Sequence, residues 1–235
     1  VDEQRRRSLW RAVAAASEVR GKGAWAEIVC CAAVELLGGI DSAALTIRAT
    51  ASAQDMLGAS DEWAGTLDDQ QYTLGEGPGV LAFASGSPVL VSDLSVDEDR
   101  WPGFSEAARA VGAAAVFAFP LQIGGIMLGT LDLYRRRVGG LTPRTLGDAA
   151  VLADLITVAL LEHTERDAAA GELWSRDGSY QDVNVATGIL AARLHISLAD
   201  AFVRLRGHAF MKNRSVLDVA RDVLEQRIGV DDLND

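Results

Sequence analysis

The side chains in this sequence that could do chemistry are few, and most are cationic or amide groups near the C-terminal end. Asn184, Gly188 and Arg193 fall in one helical segment, Arg204, His208 and Lys212 in the next, and Arg214 just beyond it. Asn184 and Gly188 share a helical face, while Arg204, His208 and Lys212 recur every four residues on a face away from the neighbouring apolar stripe. That set could contact phosphate and base edges, but charges on the outside of a helix are usually only solvated, and on the residues alone that reading is preferred. Gly188 equally suits a close helix–helix contact, and His208 a histidine at the edge of a core. Nothing in the set implies bond-making: no Ser or Cys has a nucleophile elbow or a base motif beside it.

The two cysteines, Cys30 and Cys31, are adjacent in an apolar stretch. Neighbours in a helix point about 100° apart and cannot bridge each other, so two buried thiols are expected. No Cys-x-x-Cys or His-rich spacing suggests a metal, and no cofactor is expected. Gly75, Gly77 and Gly79 give backbone freedom ahead of a helix, but they match neither the Walker pattern nor Gly-x-Gly-x-x-Gly.

These residues need elements to position them, and the composition says of what kind. At 235 residues, 49% apolar and 23% charged, the chain is long enough for one large domain or two of moderate size, each with its own core. Its apolar runs are too short or too interrupted to span a bilayer. No basic stretch followed by an apolar segment opens it, and the expected compartment is the cytosol. The net charge of −11 argues against a protein coated in nucleic acid but not against a local basic surface. With only Lys22 and Lys212 as lysines, phosphate contacts would fall mainly to arginine.

The spacing predicts helices over Gln4 to Val19 and Ala24 to Leu37, stopped by Gly38-Gly39. Strands follow at Ala43 to Ala49, Met56 to Ala59, Pro88 to Val91, Ala114 to Phe119 and Ile126 to Tyr134. The last two are joined by Gln122-Ile123-Gly124-Gly125. Short helical segments are expected around Val80 to Ser85 and Phe104 to Val111. A long helix capped by Thr142-Pro143 runs to about Ala170 as a connector.

This order of elements resembles a GAF domain, a small-molecule sensor, and so does the local text. That text is Gln71, Gly75-Glu76-Gly77-Pro78, Val89-Leu90-Val91-Ser92-Asp93-Leu94, Trp101-Pro102, Phe119-Pro120-Leu121 and Leu128-Gly129-Thr130-Leu131. The series is similar to that of actinobacterial GAF domains. Many relatives carry Cys where Gly79 stands. The cyclic-nucleotide signature, the bilin-attaching cysteine and the cysteine set of GAF-fold methionine sulfoxide reductases have no match here. What the resemblance implies is a cavity for an unknown small molecule. Trp101, Phe104 and Phe117 are expected to line it, and core packing accounts for the same aromatics equally well.

In the C-terminal segment, Ala186, Ile189, Leu190 and Leu194 share one face of a helix. Ser197 with Asp200 then opens a second helix, with an apolar stripe of Leu198, Ala201, Phe202, Leu205 and Ala209. Ser215 with Asp218 opens a third, with Leu217, Ala220, Val223 and Leu224. Such a bundle has a small core, so its stability is expected to lean on dimerisation or on the connector helix.

The segment resembles the ANTAR domain of antitermination regulators, on Ala186-Thr187-Gly188, Asp200-Ala201-Phe202, Leu205-Arg206, His208-Ala209-Phe210 and Asp218-Val219-Ala220. The resemblance implies binding to paired stem-loops of nascent RNA by a homodimer. On that reading Gly188 admits an RNA backbone, Asn184 bonds a loop base, and the basic residues contact phosphate or stack. The expected architecture is therefore α+β. A GAF-like antiparallel sheet flanked by helices spans 1–165, 166–179 is a linker, and 180–235 is an all-α three-helix bundle with an acidic tail. The tail, Asp231 to Asp235, reads as a disordered end or a mimic of RNA charge.

Four other readings are weighed by the residues. A ligand-dependent protein-interaction module without nucleic-acid binding is the alternative function. A helix-turn-helix on duplex DNA is disfavoured because the third helix offers Asp218, Asp222 and Glu225 beside Arg221. A phosphoacceptor receiver needs a late lysine, and none stands between Lys22 and Lys212. An enzyme is not expected.

Overall fold

A computed structural model describes residues 3–16, 22–48, 54–169 and 180–233. The first part of the chain builds an antiparallel sheet between two helical layers. The sheet order is β2-β1-β5-β4-β3, with β1 Ser42–Arg48, β2 Gln54–Ala59, β3 Val89–Val91, β4 Ala115–Ile123 and β5 Ile126–Arg135. Because strand side chains alternate, each strand feeds two cores. Ala115, Phe117, Phe119 and Leu121 of β4, with Leu131 and Leu133 of β5, face α1 (Glu3–Ala16), α2 (Lys22–Leu36) and α6 (Pro143–Ala169). Val116, Ala118 and Tyr134 face the other way. Their layer holds α3 (Glu62–Leu74), α4 (Pro78–Ser85) and α5 (Pro102–Ala110).

The hairpin predicted from sequence forms, β4 and β5 pairing Ile123 with Ile126 across Gly124-Gly125, and β1 pairs with β2. In α2 the two thiols part company: Cys30 is buried and Cys31 exposed, as their angular separation on the helix requires. Burial raises the Cys30 thiol well above its ordinary range, and Cys31 is raised as well.

The helix α3 has no counterpart among the sequence expectations. Its stretch is rich in Asp, Gln and Thr, so the apolar period that marks a helix is faint. Its end signals are clear: the Asp61 side chain accepts from Ala64 N at 2.8 Å, and Gly75 closes it at φ 66° with its N–H on Gln71 O.

Thr142 Oγ1 accepts from Thr145 N at 3.1 Å and α6 begins at Pro143, the predicted cap and first position. The helix is described to Ala169, against an expected end near Ala170, and 170–179 lie outside the described residues. A partly buried ion pair, Arg5 Nε to Asp148 Oδ2 at 2.9 Å, ties α1 to α6.

The C-terminal part is a three-helix bundle: α7 Gln181–Leu194, α8 Leu198–Met211 and α9 Val216–Leu224. Both serine caps form, Ser197 on Asp200 N at 3.1 Å and Ser215 on Asp218 N at 3.0 Å. Leu198, predicted for the core stripe, is instead 63% exposed, because it opens the helix ahead of the first turn that packs. The acidic tail folds back as far as Leu233, which is buried in the bundle core above a Gly229 N to Asp232 Oδ2 bond. That part of it is not a free end.

Candidate functional site

On the bundle, Asn184 and Arg193 are exposed on α7. Gly188 is half-buried, and a Cβ built there would meet nothing within 4 Å. The alternative of a close helix–helix contact at Gly188 is not met among the described residues, and the glycine leaves a shallow gap on an outward surface. On α8 the predicted face divides. Lys212 is exposed and Arg204 half-buried, but His208 is only 9% exposed. His208 lies one residue before buried Ala209 and three after buried Leu205, and the apolar stripe is wide enough to take it in. It is a histidine of the core edge rather than of the exposed face. Arg214 is exposed at the surface but donates to Asp222 Oδ2 at 2.5 Å, with Arg227 on the other oxygen at 2.7 Å. These bonds hold the Asp222 carboxyl below its ordinary range and give Arg214 a clamping role at the foot of α9.

The bundle is docked on α3. The ring of Tyr72 lies 4.3 Å from that of Tyr180 and 5.5 Å from that of Phe202, so a side chain of the sheet domain completes the bundle's core. Next to it Thr73 holds both other helices. Its carbonyl accepts from Arg206 Nε at 2.8 Å, and its hydroxyl accepts from Val216 N at 3.0 Å. Val216 N is one of the first donors of α9, which has no partner inside its own helix, so Thr73 caps that helix from another domain. The Arg206 guanidinium covers Gly75, where a Cβ would sit 1.9–2.3 Å from it. Tyr180 N reaches Asp55 Oδ1 at 3.4 Å. The bundle's small core was expected to lean on a dimer or on the connector; the structure shows this third support.

The opposite side of α3 faces a buried polar cluster. Strand alternation brings Thr46 and Arg48 of β1 and Thr130, Asp132 and Tyr134 of β5 to this side, with Gln54 paired to Arg48 across β1–β2. Asp68 and Gln71 approach from α3. Gln71 Nε2 donates to Tyr134 Oη at 3.1 Å and to Asp132 Oδ2 at 3.4 Å, and Gln71 Oε1 accepts from Gly79 N at 2.7 Å. Arg48 Nη1 donates to Gln54 Oε1.

Much of the cluster lacks partners. Both oxygens of Asp68, Asp132 Oδ1, Arg48 Nε and Nη2, and Gln54 Nε2 have none, although none of these residues is more than 4% exposed. Burial, then the charge of Asp68, pushes the Asp132 carboxyl up to about 7, and burial raises Asp68 against the pull of Arg48. Leaving a polar group buried without a partner costs about 1–3 kcal/mol, and more for an ion.

The GAF domain matches residues 26–160, more than half of the chain. The chain belongs to the GAF family. The ANTAR domain matches residues 178–224, the three-helix bundle with Tyr180 at its head. No curated protein matches in sequence. Among solved structures, the GAF domain of a phosphoenolpyruvate-protein phosphotransferase from Coxiella burnetii aligns at 14% identity and TM-score 0.53, covering 72% of this chain and 99% of that one. The GAF domain of the corresponding Acinetobacter protein aligns at 10% identity and TM-score 0.53, covering 74% and 100%. A free methionine-R-sulfoxide reductase from Neisseria meningitidis aligns at 13% identity and TM-score 0.51, covering 71% and 95%. At these identities the likeness concerns the fold.

Within the GAF domain the predicted aromatic pocket does not assemble. Trp101 and Phe104 pack in the α3–α5 core, but Phe117 lies in the other core, across the sheet. It is one residue from Val116 and Ala118, and adjacent strand residues point to opposite faces. The polar residues that do converge were missed. Their signal was present as Thr46-x-Arg48 and Thr130-x-Asp132-x-Tyr134, polar at every second position of two central strands. Gly79 also finds its reason: a Cβ there would lie 2.5 Å from Asp132 Oδ2. The carboxylate fills the space that a cysteine would need.

Proposed function

We propose that this GAF–ANTAR chain is a cytoplasmic transcription antitermination regulator. Its ANTAR domain binds paired stem-loops of nascent RNA as a homodimer, under control of a small-molecule or dimerisation signal at the GAF domain. The observation that carries the reading is the ANTAR match over 178–224, together with an outward α7 surface that presents Asn184, the open Gly188 and Arg193. RNA loops are read by close backbone approach and by bonds to unstacked bases, and a gap beside an amide and a guanidinium suits both. Lys212 extends the basic surface onto the end of α8. The exposed apolar residues of α8, Val203 at 64%, Phe210 at 65% and Met211 at 67%, favour pairing of two modules.

Catalysis is not part of the proposal. GAF and ANTAR are regulatory domains, and both thiols are raised away from the reactive thiolate form. Among the described residues no single helix is long and apolar enough to cross a membrane.

The deciding experiment titrates the protein with a dual-stem-loop RNA and with a matched duplex DNA at two salt concentrations. Preference for the RNA at both is expected. Equal affinity for the two would sink the RNA-specific reading and leave only phosphate contact.

A further inference from the structure

We propose that the buried cluster of Arg48, Gln54, Asp68 and Asp132 is the sensor site of the GAF domain, and that its ligand class is the free amino acid, bound through both of its charged ends. The inference rests on the reading of this domain as a small-molecule sensor and names the chemistry of what it senses.

The first observation is an ion pair that stays open. Asp68 and Arg48 are buried and feel each other's charge, yet neither oxygen of Asp68 has a hydrogen-bond partner. The Thr46 hydroxyl stands beside Asp68 and favours its ionised form without closing a hydrogen bond of good geometry. Opposite charges at low dielectric attract strongly, and a protein with nothing to place between them would be expected to close the pair.

The second is the form of the unused groups. Arg48 spends Nη1 on Gln54 Oε1, which leaves the Nε–Nη2 edge free. That edge is the fork that takes a carboxylate with two parallel bonds, and Gln54 Nε2 adds a third free donor next to it. The other side offers carboxyl oxygens, acceptors only once both acids are ionised: Asp68 Oδ1 and Oδ2 and Asp132 Oδ1. Three acceptor oxygens on two acids match the three N–H donors of an ammonium group.

Water could fill hydrogen bonds here but brings no charge to either end. A simple amine would leave the Arg48 fork empty, and a simple carboxylic acid would leave the two aspartates facing each other. A zwitterion answers both sets at once.

The third is that the site is sealed, so a ligand must displace an element to enter. Asp68 and Gln71 sit on α3, whose other side carries Tyr72 and Thr73 under the ANTAR domain. Occupancy would thus be felt where the RNA module docks.

The test uses the full chain without RNA, so its result is independent of RNA binding. Thermal unfolding is followed with each of the twenty standard amino acids, β-alanine and γ-aminobutyrate, and any hit is titrated by calorimetry. At least one is expected to raise the midpoint by several degrees in a saturable way. The amine and the acid that each lack one of the hit's two end groups should bind at least 30-fold more weakly.

Arg48→Lys keeps the charge and removes the fork, while Asp68→Asn keeps the shape and removes an acid. Each should weaken binding at least tenfold with unchanged far-ultraviolet circular dichroism. If either fails to fold, Gln54→Glu, which sets a carboxylate against the incoming one, provides the same readout. The proposal is overturned if no amino acid shifts the midpoint, if the one-ended analogues bind as well, or if the folded variants retain affinity. A positive result with no RNA binding would leave the sensor site standing and sink the antitermination reading instead.

Discussion

Tyr72 of the GAF domain and Tyr180 at the head of the ANTAR domain lie ring to ring, 4.3 Å between centroids, and both are almost wholly buried. The contact makes one hydrophobic core out of residues from two domains. A small helical bundle has little apolar area of its own, so a borrowed aromatic weighs heavily. Tyr72→Ala is expected to cost about 3–5 kcal/mol, as for other large aromatics removed from a core. It should also split the thermal unfolding of the chain into two transitions, the bundle melting first. Differential scanning calorimetry reads both; a single transition shifted as a whole would show that the domains are joined by something other than this core.

Thr73 makes a narrower prediction. Its hydroxyl accepts the Val216 N–H, a buried donor at the start of α9. Thr73→Val keeps the shape and leaves that donor bare, at a cost of about 1–3 kcal/mol. Thr73→Ser should retain most of the stability. Hydrogen exchange at the Val216 amide should speed up in the valine variant and not in the serine variant, and equal protection in the two would refute the cross-domain cap.

Gly188 separates folding from recognition. A Cβ there meets nothing, so Gly188→Ala should stabilise α7 by up to about 1 kcal/mol through helix propensity alone. If the gap admits an RNA backbone, the same change should weaken RNA binding roughly tenfold, about 1.4 kcal/mol. Stability rising while affinity falls is the expected pair of outcomes. Affinity that rises with stability would show that the glycine is not at the interface. Arg193→Ala and Lys212→Ala, both exposed, should lower affinity and its salt dependence with the unfolding midpoint unchanged.

What could be read in the sequence follows the strength of each local signal. The β4–β5 hairpin announced itself through β-branched and aromatic runs around Gly124-Gly125, and α8 and α9 through serines three residues ahead of an aspartate. Helix α3 did not, because Asp68, Asp69, Gln70 and Gln71 occupy positions where a helical period would be sought in apolar residues. Two of those polar residues are fully buried, and burial of a polar group depends on what the rest of the fold brings to it. His208 is more buried than its spacing predicts for a related reason: spacing gives a helical face, but the width of the buried face is set by the helices packed around it. The docking of Arg206 over Gly75 had no sequence signal, since nothing in either segment specifies the other.

Gly79 offers a test of the polar cluster from the steric side. Its would-be Cβ lies 2.5 Å from Asp132 Oδ2 and 2.9 Å from Oδ1, and the carboxylate is fully buried. Gly79→Ala and Gly79→Cys are each expected to destabilise the domain by about 1–3 kcal/mol through overpacking. Adding Asp132→Ala removes the obstructing carboxylate, so the double variant should recover part of that loss. Strict additivity in a double-mutant cycle would show that the two positions do not press on each other.

Asp132 should also write itself into the pH dependence of stability. Its carboxyl is pushed from an ordinary 3.8 up to about 7, first by burial and then by the charge of Asp68. Below about pH 4 it is protonated in both the folded and the unfolded chain and costs nothing. Between that pH and about 7 the unfolded chain gives up the proton while the folded protein keeps it, so this group lowers stability as pH rises and levels off above 7. Asp132→Asn is neutral throughout and escapes the loss. Relative to the parent it should gain about 2–3 kcal/mol more at pH 8 than at pH 5, at roughly 1.4 kcal/mol per pH unit crossed. For a chain of this size the extra gain is about 4–12 °C in unfolding midpoint. Melting both proteins at the two pH values isolates the difference from every other titrating group. A shift of equal size at pH 5 and pH 8 would mean that Asp132 is ionised at both, and that the cluster already holds a cation's worth of compensation.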